Sequence, residues 1–154
     1  MNGEWIRIVS ELEKAGRLES EKGFFQHGNT TVYEHSVRVV QVSLYLTAKL
    51  KLRVNEESMI RGAMLHDYFL YDWHDNNKEH CLHGFRHPYT ALKNAEADFR
   101  LNKIEKNIIL RHMFPLTPIP PFYKEAWIVC AADKYCALEE LIWPFFNKIS
   151  LERS

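Results

Sequence analysis

Met59-Ile60-Arg61-Gly62-Ala63-Met64-Leu65-His66-Asp67 is an apolar run that closes on an imidazole and a carboxylate side by side. A helix that buries Ile60, Ala63 and Met64 at 3.6-residue spacing carries Asp67 on the same stripe, with His66 about 100° round the axis. Adjacent helical residues do not share a face, yet a short Asp and a longer His can converge on one ion lying between them. Read this way, the run is a core helix that delivers two metal ligands to the middle of the molecule. A plain helix C-terminus shows the same dipeptide, with a His favourable to the dipole and an Asp in the turn. Partners elsewhere in the chain decide between the two readings.

The totals narrow the choice. A chain of 154 residues fits one domain and can bury roughly two thirds of its unfolded surface. Lys plus Arg and Asp plus Glu number 20 each, so no basic excess points to nucleic acid or a membrane surface. No apolar run approaches the roughly 20 residues of a membrane span. The N-terminus passes straight into a charged amphipathic pattern without a signal-type apolar core, so a cytoplasmic location is expected. Cys81, Cys130 and Cys136 form no CxxC pair and read as reduced thiols. The count of eight histidines is high for this length and hints at metal chemistry.

Helical patterns account for most of the chain. Glu4 to Ala15 places Trp5, Ile8, Val9 and Leu12 on one face before Gly16. Gly23 to Gly28 reads as a connection with Phe24 and Phe25 as anchors and His27 on the surface. Thr31-Val32-Tyr33-Glu34 has the form of a capping box, so a helix begins near Val32 and runs to about Lys51, with His35, Val39, Val42 and Leu46 inward and Leu50 on the flank. Asn55 and the acids after it start the helix that ends in His66-Asp67.

From Tyr68 to Arg86 the period is lost, which predicts an irregular loop with aromatic anchors and an excess of polar residues. Cys81 and His83 lack a matching pair at zinc-finger spacing. His87-Pro88 predicts a helix start with Pro at its first position, followed by Ala91, Leu92, Ala95 and Phe99 inward. Asn102 caps a shorter helix that carries Ile104, Ile108, Ile109 and, at its edge, His112, and ends at Met113. Phe114 to Pro121 holds four prolines in eight residues and predicts a stiff extended connector. The last helix is expected from about Tyr123 to Ile142, stopped near Pro144, with Ala126, Val129, Cys130, Asp133 and Ala137 inward. An unpaired Asp133 on that stripe would cost about 3 to 5 kcal/mol, so it needs a partner, and a cation is the economical one. No strand pattern stands out.

The ordered set His35, His66-Asp67 and Asp133, each on or near a buried helical stripe, resembles the HD superfamily of metal-dependent phosphohydrolases, whose signature is H…HD…D on an all-helical core. The segment His35-Ser36-Val37-Arg38-Val39 is similar to that family's first motif. The resemblance spans about residues 30–142 and implies an all-α, single-domain bundle of about six helices over 1–154. Some branches add two histidines that ligate a second ion, with the Asp of the pair as bridge; His87 and His112 stand in those places, and His83 competes with His87. The implied metal ligands are therefore His35, His66, Asp67, His87, His112 and Asp133, with Asp67 and His66 catalytic.

The implied cofactors are one or two divalent ions from Mn, Fe, Ni, Co or Zn, and the implied substrate is a small phosphorylated compound such as a nucleotide, with no nucleic acid or membrane partner. Several branches carry a Lys or Arg soon after the HD pair. Tyr68-Phe69-Leu70-Tyr71-Asp72 stands there instead, which passes the phosphate contact to Lys134, Arg86 or Arg111. Asp72 and His74 sit where a proton-transfer group would stand, and also read as loop-stabilising polar residues. Tyr68, Tyr71, Trp73 and Phe114 are candidates for stacking on a base. The departure after the pair leaves open a domain that binds a nucleotide or partner without turning it over.

Overall fold

The computed structural model describes residues 3–27, 30–70 and 83–151, with side chains described for 3–25, 30–70 and 85–142. In chain order the elements are α1 (Glu4–Ala15), a 3-10 helix (Leu18–Gly23), β1 (Phe25–His27), β2 (Thr30–Thr31), α2 (Val32–Lys49), α3 (Glu56–Leu65), α4 (His83–Asp98), α5 (Lys103–Arg111) and α6 (Lys124–Leu151). The six α-helices form an all-α bundle. Among the described residues the short antiparallel ribbon β1–β2, with Phe25 opposite Thr31, is the one departure from a purely helical reading. No described helix is long and apolar enough to cross a membrane.

The helix starts form for the reasons their residues supply. Thr31 accepts from the backbone N–H of Glu34, whose carboxylate in turn accepts from the N–H of Thr31, a complete capping box at the head of α2. Asn102 and Glu105 build a second one at α5. Asn55 caps α3 through the N–H of Ser58.

α3 is the central helix. Met59, Ile60, Ala63, Met64 and Leu65 are all buried, and the helix packs against α1, α2 and α5. Its contact with α5 is close: a Cβ on Gly62 would lie 2.4 Å from Cδ1 and 3.0 Å from Cβ of Ile108. Gly62 stands one turn before His66, and Ile108 one turn before His112. The backbone approach that only glycine permits at 62 therefore brings the ends of α3 and α5 together, and the rings of His66 and His112 meet edge to face with centroids 4.9 Å apart.

Several expected boundaries move. α4 begins at His83, so Pro88 lies inside it and His87 sits in its second turn instead of at its start; the missing N–H costs one bond near the helix end. α6 runs through Pro144 to Leu151, because a proline weakens one turn without ending a long helix. Phe114 to Phe122 is a series of turns and bends, not an extended connector, with a cis peptide at Phe114-Pro115 and a bond from Thr117 N–H to the Met113 carbonyl. Leu50 is exposed beyond the end of α2 and Phe25 beyond the expected anchor role, whereas Tyr68 and Phe69, expected in an irregular loop, are fully buried. The expected features at Tyr71, Asp72, Trp73, His74 and Cys81 lie outside the described residues.

Gly62→Ala is expected to lower stability by about 1 to 3 kcal/mol through overpacking, measured by thermal unfolding. Ile108→Val, which removes the nearest methyl, should cost less in the Gly62→Ala background than in the parent chain. Simple additivity of the two losses would rule out a clash as the cause.

Candidate metal centre

Six buried side chains from five helical segments meet where these helices converge. His35 lies in the first turn of α2, His66 closes α3 with Asp67 directly after it, His87 comes from α4, His112 closes α5 and Asp133 comes from α6. Their exposures run from 0% for His35 and His66 to 7% for Asp133. The donor atoms sort into two groups, His35 with His66 and Asp133, and Asp67 with His87 and His112, each within 4.8 Å among its members.

In the first group His35 Nε2 lies 3.1 Å and His66 Nε2 3.7 Å from Asp133 Oδ1. In the second, Asp67 Oδ1 lies 3.1 Å from His87 Nε2 and 3.4 Å from His112 Nε2, and the two imidazole nitrogens are 2.7 Å apart. Asp67 joins the groups. Its Oδ1 faces the second while its Oδ2 lies 3.3 Å from His66 Nε2.

The ring orientations are set from behind. His66 Nδ1 donates to the Ala63 carbonyl at 2.7 Å and His112 Nδ1 to the Ile109 carbonyl at 2.8 Å. His35 Nδ1 instead donates to Glu140, with both carboxylate oxygens at 3.0 and 3.1 Å. A proton on Nδ1 turns the Nε2 lone pair towards the centre.

These groups fit divalent ions. With donors about 2.0 to 2.2 Å from a metal, neighbouring donor atoms on one coordination shell lie roughly 3.0 to 3.5 Å apart, and the spacings within each group scatter around that value. His66 Nε2 is buried without a hydrogen bond despite the two carboxylates near it, as expected of an atom whose intended partner is a cation between them. Mixed imidazole and carboxylate donors suit first-row transition metals.

Without an ion, protons take the same place. Burial pulls the His35 ring down, but hydrogen bonds to Asp133 and Glu140 outweigh it and hold the ring up to about 9. His66 is likewise held well above its ordinary value by Asp67 and Asp133 against burial. Burial pushes Asp67 and Asp133 up, but the surrounding imidazoles prevail and keep both carboxyls below their usual range. His112 is lowered, mainly by burial.

The candidate phosphate contacts are differently placed. Lys134 Nζ donates to the His112 carbonyl at 2.6 Å and contacts Cys130 Sγ at 3.3 Å. Arg86 is exposed on α4. Arg111 lies over the Phe122 ring, its guanidinium carbon 5.8 Å from the centroid, with Nε buried and lacking a hydrogen bond. Phe114 meets Trp127 edge to face, Tyr68 belongs to the core, and the side chain of His83 is outside those described.

Among the described residues, two acids near the centre escape a sequence reading. Glu140 follows Asp133 by two turns of α6, a spacing that could have flagged it. Glu21 is fully buried in the 3-10 helix with neither oxygen hydrogen-bonded; burial, then the negative charge of Asp67, pushes its carboxyl well above the usual range, with His66 opposing. Flanked by Ser20 and Lys22 outside any periodic pattern, it carries no signal.

The pH dependence of the chelated protein follows. Raised imidazoles contribute stability that is full below about pH 6.5 and lost as pH rises through about 9 for His35. Lowered carboxyls contribute stability that is present above about pH 4 and lost on acidification. Melting temperature should therefore fall between pH 6.5 and 9 after chelation, and the gain on adding metal should grow over the same window as protons stop competing. Glu21→Gln removes a carboxyl whose ionisation opposes folding, so in chelated protein it should melt a few degrees higher than the parent at pH 8, with the difference shrinking towards pH 4. A lower melting temperature at pH 8 would contradict the upward shift of the Glu21 carboxyl.

Residues 32–138 match the HD domain family. No curated protein and no solved structure matches the chain. The family match covers more than half of the chain and contains every one of the six converging side chains. The chain belongs to the HD domain family.

Proposed function

We propose that this chain is a metal-dependent phosphohydrolase that cleaves a phosphate ester or anhydride in a nucleotide or similar small phosphorylated compound. The observation that carries the reading is Asp67, buried between the two donor groups with Oδ2 towards His66 and Oδ1 towards His87 and His112. A carboxylate so placed would be shared by ions held in the two groups.

His35, His66 and Asp133 would hold the first ion and His87 and His112 the second, with Asp67 common to both. Bound there, divalent ions supply Lewis acidity that lowers the pKa of a water and neutralises phosphoryl charge. The chain's own part is to present neutral Nε2 donors from backed imidazoles, to keep both Asp carboxyls ionised, and to exclude bulk water by burying all six groups. Arg111 and Arg86 are the cations proposed to meet the substrate phosphate. Zero net charge supports local recognition of a small ligand over general attraction of a polyanion.

A second reading, a metal-holding domain that senses a nucleotide or partner without hydrolysis, draws support from Lys134, whose ammonium is engaged with the His112 carbonyl. Elemental analysis of the purified chain, then a screen of nucleotides and phosphoesters with added Mn, Co or Ni, separates the readings. Hydrolysis is expected, and Asp67→Ala should lose metal and roughly 10³-fold or more in rate, the equivalent of about 4 kcal/mol. Bound metal with no turnover across the screen favours the sensor. Absence of metal, together with hydrolysis that Asp67→Ala leaves unchanged, sinks both.

A further inference from the structure

His66 and His112 back their rings locally, each through the carbonyl three residues earlier on its own helix. His35 does not. Its Nδ1 reaches across to Glu140 on α6, 105 positions further along the chain, and lies within 3.0 and 3.1 Å of the two carboxylate oxygens. The Glu140 side chain is 11% exposed, so the pair is shielded from water. Glu140 stands two turns after Asp133, whose Oδ1 is 3.1 Å from the opposite nitrogen of the same ring. One face of α6 thus holds the His35 imidazole at both ends. Beside it, Arg38 and Glu139 pair at 3.2 Å and fasten the same turns of α2 and α6 together. Glu140 lies just beyond the residues matched to the family, 32–138.

We infer that Glu140 is a positioning residue that makes the His35–His66–Asp133 group the tighter of the two metal sites. A carboxylate behind an imidazole fixes the tautomer with Nε2 bare, holds the ring plane and increases the donor strength of Nε2, and partners of this kind are typically worth about 10- to 100-fold in metal affinity. Charge adds to the asymmetry. The first group has Asp133 and the near oxygen of Asp67, with Glu140 behind His35; among the described residues the second has the shared Asp67 as its one carboxylate donor. The inference rests on the two-site reading of the centre and adds an order of loading, the first group filling before the second.

The test uses the full chain, stripped of metal and titrated with Co²⁺ against a competing chromophoric chelator, with cobalt absorption as a second readout. The parent should show two classes of site. His112→Ala should remove the weaker class and leave the tighter, which assigns them. Glu140→Ala should weaken the tighter class by about 10- to 100-fold and leave the weaker in place, while Glu140→Gln, which keeps an oxygen acceptor for Nδ1–H, should weaken it only several-fold. Circular dichroism and melting of the metal-free variants establish that they fold; if Glu140→Ala does not, the near-isosteric Glu140→Gln decides. Equal sites in the parent, a tighter class untouched by either Glu140 variant, or equal weakening of both classes would overturn the inference while leaving the metal centre standing. A parent chain that takes up no cobalt overturns the metal centre itself, and the inference with it.

Discussion

The burial of Asp67 is the constraint on which the rest of the structure turns. A carboxylate at 1% exposure in the middle of a helical bundle is tolerable only if positive charge surrounds it, because an uncompensated buried ion costs several kcal/mol. The His66 ring beside it, held well above its ordinary value, supplies such charge, and His87 from α4 and His112 from α5 bring ring nitrogens against its other oxygen. These elements end, or pass, where Asp67 is. The bundle can be understood as the set of helix packings that brings those imidazoles within reach of one carboxylate and then closes over them.

Close packing supplies the precision. The missing side chain at Gly62 lets α3 settle against Ile108 of α5, and one turn later the two helices deliver His66 and His112. Capping at Thr31 and Asn102 starts α2 and α5 at defined residues, so His35 and His112 emerge at fixed places on their helices. Tyr68, next to the pair, is anchored by its hydroxyl, which donates to Asp98 and accepts from the backbone N–H of Arg17. These contacts are structural, but each sits on or next to a segment that carries a donor and so helps to determine its position.

Behind the donors stands a second layer that gives the centre its character. Backbone carbonyls of Ala63 and Ile109 direct His66 and His112, and the carboxylate of Glu140 directs His35. Lys134 donates to the carbonyl of His112, just past the end of α5, so a residue with the look of a phosphate contact also holds the helix end that presents His112. The buried Glu21, with no hydrogen bond to its carboxyl, adds to the surroundings of Asp67 an acid that burial pushes well above its usual range.

Much of this was legible in the sequence because it is local. Periodicity and caps identify α1, α2, α3 and α5 nearly to the residue, and an acid or imidazole on an apolar stripe announces His35, Asp67 and Asp133 as groups in need of partners. The signal fails where the determinant is not local. Prolines 88 and 144 read as boundaries because a ring without N–H disfavours helix, yet both lie inside helices held by their other turns. The ribbon at Phe25 and Thr31 is too short to show alternation. Glu21 and Glu140 do not figure in the sequence reading: nothing adjacent to Glu21 reveals its burial, and the seven-residue spacing of Glu140 from Asp133 gains meaning only once His35 is seen between them. By itself the sequence determined that the fold is helical and which residue types seek a cation. Only the tertiary structure decided that they sort into two groups sharing the two oxygens of Asp67, and that Glu140 backs His35, because such pairings depend on distances between segments up to about a hundred residues apart, which helix packing alone sets.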